Sequence, residues 1–184
     1  MIKLLCFLLL ICSLAPQATA QKYLTRNGKI TFYSHTPVED IKATNNEVAS
    51  TINAATGDME FKVAIRGFRF KLAAMEEHFN QEEYMNSSQH PRASFKGKIA
   101  DMSSVNLQKD GTYKVVVSGD LTIKGVTKPV TAPGTITVAG NKLNAVSTFK
   151  VPRKQFNIMG KAFVQSKIAE EIEITVNCQY DPIN

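Results

Sequence analysis

From Gly28 to the C-terminus the sequence alternates apolar and polar residues with a period of two, and this pattern constrains the fold more than anything else in it. Successive side chains of a strand point to opposite faces, so the alternation describes strands with one buried and one solvated side. Tyr113, Val115, Val117, Leu121 and Ile123 share odd numbers, with Lys114, Ser118, Asp120 and Thr122 between them and Val116 as the one apolar exception. Val164, Ile168, Ile172, Ile174 and Val176 share even parity, opposite Gln165, Lys167, Glu171, Glu173 and Asn177. Phe61, Val63 and Ile65 alternate with Lys62, Ala64 and Arg66; the apolar parity then flips to Phe68 and Phe70. Gly67 sits at the flip, which predicts a bulge or bend there.

Weaker alternation covers residues 29–35, 47–54, 93–100, 130–138 and 142–151. Thr56-Gly57-Asp58, Lys109-Asp110-Gly111, Gly125 and Gly140-Asn141 supply turn chemistry between the runs. About eight strands joined mainly by tight turns predict an all-β fold, an antiparallel barrel or sandwich. One segment departs from this. Residues 72–86 hold good helix formers, with Leu72, Met75 and Phe79 near helical spacing, and Pro91 stops whatever lies there. A short helix inserted between strands, covering one end of the sheet, is the expectation.

The first twenty residues follow other rules. Lys3 precedes an apolar run from Leu4 to Leu14, then Pro16 and Ala18-Thr19-Ala20. A basic start, an apolar stretch well short of the roughly 20 residues that span a bilayer, and an Ala-x-Ala end read as a secretory signal peptide cleaved near Ala20. Residues 21–184 are then one domain, periplasmic or secreted, with no stable membrane span. Removing 20 residues from 184 leaves 164, and only Cys178 of the three cysteines stays. A single cysteine forms no internal disulfide, so the core must hold the fold together. Its inward parity makes Cys178 a buried structural thiol.

Catalytic signatures are missing. His35, His78 and His90 form no metal-ligand spacing, and His78 with Glu82 reads as a surface pair on one helical face. There is no Gly-x-Ser-x-Gly elbow, no phosphate loop and no dinucleotide fingerprint. No catalytic residue, metal or cofactor is assigned, and the chain is read as a non-enzyme. The formal charge is +6, from 22 Lys and Arg against 16 Asp and Glu. Its clusters, Arg66-Arg69-Lys71 and Arg92-Lys96-Lys98, are modest beside the concentrated basic face of a nucleic-acid binder and read as solvated strand faces, so no nucleic acid is expected.

Three stretches resemble a known family. One runs from Glu77-His78-Phe79-Asn80 through Glu83-Tyr84-Met85 to His90-Pro91-Arg92-Ala93-Ser94-Phe95-Lys96-Gly97. The second, Gly119-Asp120-Leu121-Thr122-Ile123-Lys124-Gly125-Val126-Thr127-Lys128-Pro129-Val130, is the most specific, and the third spans 149–158 with Arg153 and Phe156. Together they resemble the YceI-like family. Departures are His90, where the family commonly has an aromatic before the proline, and Asn157, where it has glycine.

The resemblance implies an eight-stranded antiparallel lipocalin-like barrel whose apolar interior binds a polyisoprenoid or similar amphiphilic lipid. The matched motifs contribute Phe79, Phe95, Leu121, Phe149 and Phe156 to the lining, and inward parity adds Phe61, Val63, Val115, Val117, Ile172 and Ile174. His78 and Arg153 are candidates for a polar end of the pocket. Self-association as a homodimer stays open, as does the choice between an open interior and a packed core. An enzyme acting on a periplasmic isoprenoid or quinone and a structural barrel are the alternatives.

Overall fold

The structure, a computed structural model, describes residues 21–183; the signal-peptide expectation lies outside them. Nine strands and one helix follow in order: β1 Lys22–His35, β2 Asp40–Asn53, β3 Asp58–Ala64, β4 Arg69–Phe70, α1 Ala73–Asn80, β5 Arg92–Ile99, β6 Gly111–Ile123, β7 Val126–Ala139, β8 Lys142–Pro152 and β9 Glu171–Ile183. All pairings are antiparallel. The sheet runs β1-β9-β8-β7-β6-β5-β3-β2, and β1 pairs β2 to close it. Eight long strands thus form a closed barrel, and the two-residue β4 pairs only with β2.

The alternation sets which side chains enter the barrel. On β6, Val115 is buried and Lys114 exposed, while Val116 faces solvent as the outward exception. The parity flip at Gly67 is a single 3-10 turn, Ile65–Gly67, which resets the register before Phe68 and Phe70. A Cβ on Gly67 would come within 2.6 Å of the Asn45 amide, so this turn admits no side chain.

The two ends of the barrel differ. One end collects the chain connections 54–57, 100–110 and 140–141, and its interior is filled by packed side chains. Tyr23, Ile52, Ile99, Leu143, Cys178 and Tyr180 pack there beneath Val105 and Leu107 of the 100–110 loop. Tyr23 donates its hydroxyl to the Leu107 carbonyl at 3.2 Å, and Ser50 Oγ and the Tyr180 hydroxyl share a buried bond of 2.8 Å. Burial pushes the Cys178 thiol up to about 11 and raises the Tyr180 phenol as well.

The other end carries the connections 36–39, 65–91, 124–125 and 153–170. Here the chain corrects two sequence expectations. The helix is eight residues long, not fifteen, and turns complete the segment, Met85 folding back so that its N–H reaches the Phe79 carbonyl. An isolated helix of this length is marginal without packing; α1 is anchored by Phe79 and by Glu76, which accepts from Arg69 Nη1 at 2.9 Å and from the Phe70 N–H at 3.3 Å. The Phe79 ring lies 5.4 Å from Phe32, 5.7 Å from Phe68 and 5.1 Å from Phe70. The second correction concerns Val164 and Ile168, which do not belong to the last strand. They sit in and just after a 3-10 helix, Ala162–Lys167, and β9 begins at Glu171.

Candidate functional site: an apolar cavity in one half of the barrel

Between the two ends the barrel holds a cavity of about 530 Å³. This lies within the ~300–1,000 Å³ range of small-molecule sites. Phe61, Val63, Phe79, Phe95, Val115, Val117, Leu121, Phe149, Ile172 and Ile174 line it, as do His78 and Arg153. Phe156 does not. It lies in the 3-10 turn Arg153–Phe156 after β8 has ended, 1% exposed and packed away from the lumen.

The sequence reading missed much of the wall. Ile30, Phe32, Ile41, Phe68, Phe70, Ile123 and Val130 also line the cavity, with Met75 of α1 and Ile158, Val164 and Ile168 of the 153–170 connection. Phe68 and Phe70 carried a signal, their parity after the flip. Ile158 carried none, because it belongs to no strand.

The lumen is shaped by small residues as well as large ones. Gly97 of β5 and Gly119 of β6 pair across the sheet. A Cβ on either would approach Phe95 Cζ, at 2.5 and 2.8 Å, so the glycines make the floor on which that ring lies. Phe95 in turn meets Phe61 edge-on at 6.1 Å.

Two ladders are incomplete in this half. β2 and β3 pair only from Ala49↔Lys62 to Ile52↔Met59. The parting above that point is stitched. Asn45, fully buried, donates Nδ2 to the Ala64 carbonyl at 2.8 Å and accepts the Glu47 N–H at 2.8 Å, and β4 pairs beside it. β7 and β8 pair only from Gly134↔Ser147 to Ala139↔Lys142. Residues 126–133 and 148–152 have no mutual ladder pairs among the described residues, although each pairs fully on its other side. Pro129 and Pro133 lie in this stretch and offer no N–H to a ladder, as suits an edge strand. Ser147 Oγ donates to the Pro133 carbonyl at 2.6 Å where the parting starts.

The cavity therefore reaches the surface twice. Ala74, His78 and Lys167 line it and are solvent-exposed at the barrel end, and Val146 does so beside the β7–β8 slot. Two cations hold the loops between these openings. Arg153, 2% exposed, donates Nε to the Ala169 carbonyl at 2.9 Å and Nη1 to the carbonyls of Ile158 at 2.8 Å and Met159 at 2.7 Å. Burial lowers its pKa, opposed by Glu170 and Tyr84, but guanidinium stays charged throughout. Lys124 Nζ donates to the carbonyls of Glu82 at 2.8 Å and Asn157 at 3.0 Å, and burial lowers its pKa too. Asn157 takes the left-handed conformation (φ 56°), which asparagine tolerates better than other side-chain-bearing residues.

Among the described residues no three His, Cys, Asp or Glu side chains converge as metal ligands. His78 lines the mouth from α1, and Glu82 lies beyond the helix end, so the two do not share a helical face.

A closed eight-stranded antiparallel barrel around an apolar cavity is the architecture of the lipocalin-like barrels, in which the interior is just wide enough for one small ligand. Residues 22–180 match the YceI-like domain, and the chain belongs to that family. A UPF0312 protein of Photorhabdus laumondii is 33% identical over 104 residues, 56% of this chain and 41% of that protein. Protein YceI of Escherichia coli O157:H7 is 28% identical over 138 residues, 72% of this chain and 59% of its own. The chain thus matches less than two thirds of the length of these relatives. Among solved structures, a polyisoprenoid binding domain from Saccharophagus degradans superposes with a TM-score of 0.75 at 10% identity, covering 88% of this chain and 98% of that one. BcnA of Burkholderia cenocepacia gives 0.69 at 19% identity, covering 83% and 95%.

Proposed function

We propose that the protein binds and carries an amphiphilic lipid, a polyisoprenoid or a close chemical relative, in the apolar half of its barrel, without covalent chemistry. The observation that carries this reading is the cavity itself: about 530 Å³, walled by Phe, Val, Ile and Leu, and open at the surface. An apolar cavity of ~150 Å³ takes up one benzene, so this one has room for a branched tail on the order of fifteen to twenty carbons. The driving force is removal of that tail from water, about 25 cal/mol per Å² less the cost of ordering it. The solved domain described as polyisoprenoid binding supports the choice of tail. The reading places the working protein outside the cytoplasm, in the periplasm or secreted, after loss of residues 1–20.

Organic extraction of purified protein followed by mass spectrometry is expected to release a long-chain amphiphile, and delipidated protein is expected to take up a fluorescent prenyl probe. Repeated preparations that yield no lipid, together with no probe uptake, would overturn the proposal.

A further inference from the structure

Seven large apolar side chains are exposed among the described residues, and four of them gather at the open end of the barrel. Val38, Leu72, Met159 and Phe163 lie on connections at the open end, and Phe163 is 79% exposed. Val116 on β6, opposite Pro133, and Val146 on β8, opposite Thr135, lie on the outer wall at mid-barrel. The packed end exposes one, Ile183 at the end of β9 opposite Lys22, and none on its connections. Single exposed apolar residues are ordinary, and it is their concentration at one end that marks an interaction surface.

The 153–170 connection also says what covers this surface. Residues 157–168 contain Lys161 and Lys167 and no acidic residue, with Glu39 4.0 Å from Lys167 Nζ and Glu170 at the end of the connection. Val164 and Lys167, three apart on the 3-10 helix, turn toward the cavity, while Phe163 turns out to solvent. A short element with an aromatic tip, apolar neighbours and flanking cations, and no acid, has the chemistry of a segment that lies in a lipid–water interface and meets anionic headgroups. Over all its connections the open end carries eight Lys and Arg against six Glu, whereas those of the packed end carry Asp101 and Asp110 against Lys109.

We propose that the open end of the barrel is a docking surface for an anionic lipid bilayer, with Phe163 and Met159 inserted among the headgroups and Lys161 and Lys167 paired with their charges. Its purpose rests on the lipid-carrying reading, because a water-insoluble ligand is exchanged most readily with the mouth against its source. Its evidence and its test do not depend on that reading. The contact proposed is peripheral, made by these few side chains; among the described residues no helix is long and apolar enough to cross a membrane.

The test is flotation with vesicles free of isoprenoids, made of phosphatidylethanolamine and phosphatidylglycerol or of phosphatidylcholine alone. The full chain is expected to float with the anionic vesicles, less with the neutral ones, and less in high salt. Phe163→Ser with Met159→Ser is expected to weaken flotation on the order of tenfold or more. Lys161→Gln should weaken it about fivefold on anionic vesicles only. Neither Phe163 nor Met159 lines the cavity, so the double serine variant should keep its uptake of a prenyl probe from solution. Protein that takes up the probe but floats with neither vesicle overturns the docking surface and spares the proposed function. Flotation unchanged in the double variant overturns it too. Concentration-dependent dimerisation of the wild type, lost in the double variant and without flotation, assigns the patch to a second copy and overturns the bilayer. Flotation without probe uptake supports the docking surface and counts against the proposed function.

Discussion

The two halves of this barrel are made from the same strands and the same residue types, yet one is filled and the other hollow. In the packed half, Leu143 and Tyr180 are each 1% exposed and the 100–110 loop plugs the end. In the hollow half, Phe149, Leu121 and Ile174 have the same inward parity but stay half-buried, because they border a void. The difference lies in what the connections supply. Val105 and Leu107 reach into one end, whereas at the other the aromatic cluster of Phe32, Phe68, Phe70 and Phe79 gathers to one side and leaves the centre free. Apolar parity makes a barrel, and the loops and small residues decide whether it is full.

The most drastic way to break this contrast is to fill the void. Val117 lines the cavity. Val117→Trp should cut prenyl-probe affinity on the order of a hundredfold, by displacing roughly 100 Å² of ligand contact, with urea stability changed by less than about 1 kcal/mol. The same enlargement at Val138, 2% exposed in the packed half, has no space to use. Val138→Trp should cost at least ~1–3 kcal/mol. Equal effects at the two sites would show that the void closes in solution.

Truncation gives the inverse test. Leu143→Ala should cost about 2–5 kcal/mol, the transfer of its side chain plus an unfilled hole. Phe149→Ala enlarges a hole that already exists, so its cost should fall below half of the ~3–5 kcal/mol typical of a buried Phe. Urea midpoints at unchanged m-values measure both.

Much of this was legible in the sequence because it followed from parity. Tyr113 to Ile123 gave β6, and Phe61, Val63 and their flip at Gly67 gave β3 and the turn after it. The motif resemblance supplied barrel closure, which no alternation specifies. What escaped lies where parity stops. Val164 and Ile168 are four apart, a spacing that fits an even-numbered strand as well as a helical turn, and only the tertiary position of the 153–170 connection decides between them. Phe156 sits in the motif but past the end of β8, so its neighbours and not its spacing determine where it points. The hollow half was invisible because cavities and cores are walled by the same residue types. Pro129 and Pro133 did hold a signal, two missing donors in one strand, and the β7–β8 slot is where they lie.

The packed half should also respond to pH through Cys178. Its folded value, raised by burial to about 11 from an ordinary 9.0, means that the fold favours the neutral thiol. Stability from this group is complete below pH 9, where both states are protonated. Between about pH 9 and 11 the unfolded chain ionises first and stability falls, by about 2–3 kcal/mol in all. Cys178→Ala should flatten that part of the urea-midpoint profile relative to wild type, whatever its offset at neutral pH. A profile as steep in the variant would place the loss elsewhere. Reagents that modify thiolates should leave Cys178 untouched in the folded protein at pH 8.

The smallest global effect is expected at the β6–β7 turn, and it separates the halves by mobility. Lys124 and Gly125 both have positive φ, 49° and 75°, as a two-residue type I′ hairpin requires, and Asn-Gly is the pair that suits it best. Lysine in the left-handed region costs about 1 kcal/mol. Its presence is explained by its ammonium, which bonds the Glu82 and Asn157 carbonyls and ties the α1 connection to the 153–170 connection. Lys124→Asn relieves the turn and cuts the tie. These oppose each other in the folding free energy, so the urea midpoint should move little. They do not oppose each other locally. Amide exchange in residues 81–90 and 157–168, and tryptic cleavage at Lys161 and Lys167, should accelerate several-fold, while the 100–110 loop of the packed end keeps its protection. Acceleration at both ends alike would mean that the halves open as one unit and that the tie is not what holds the mouth.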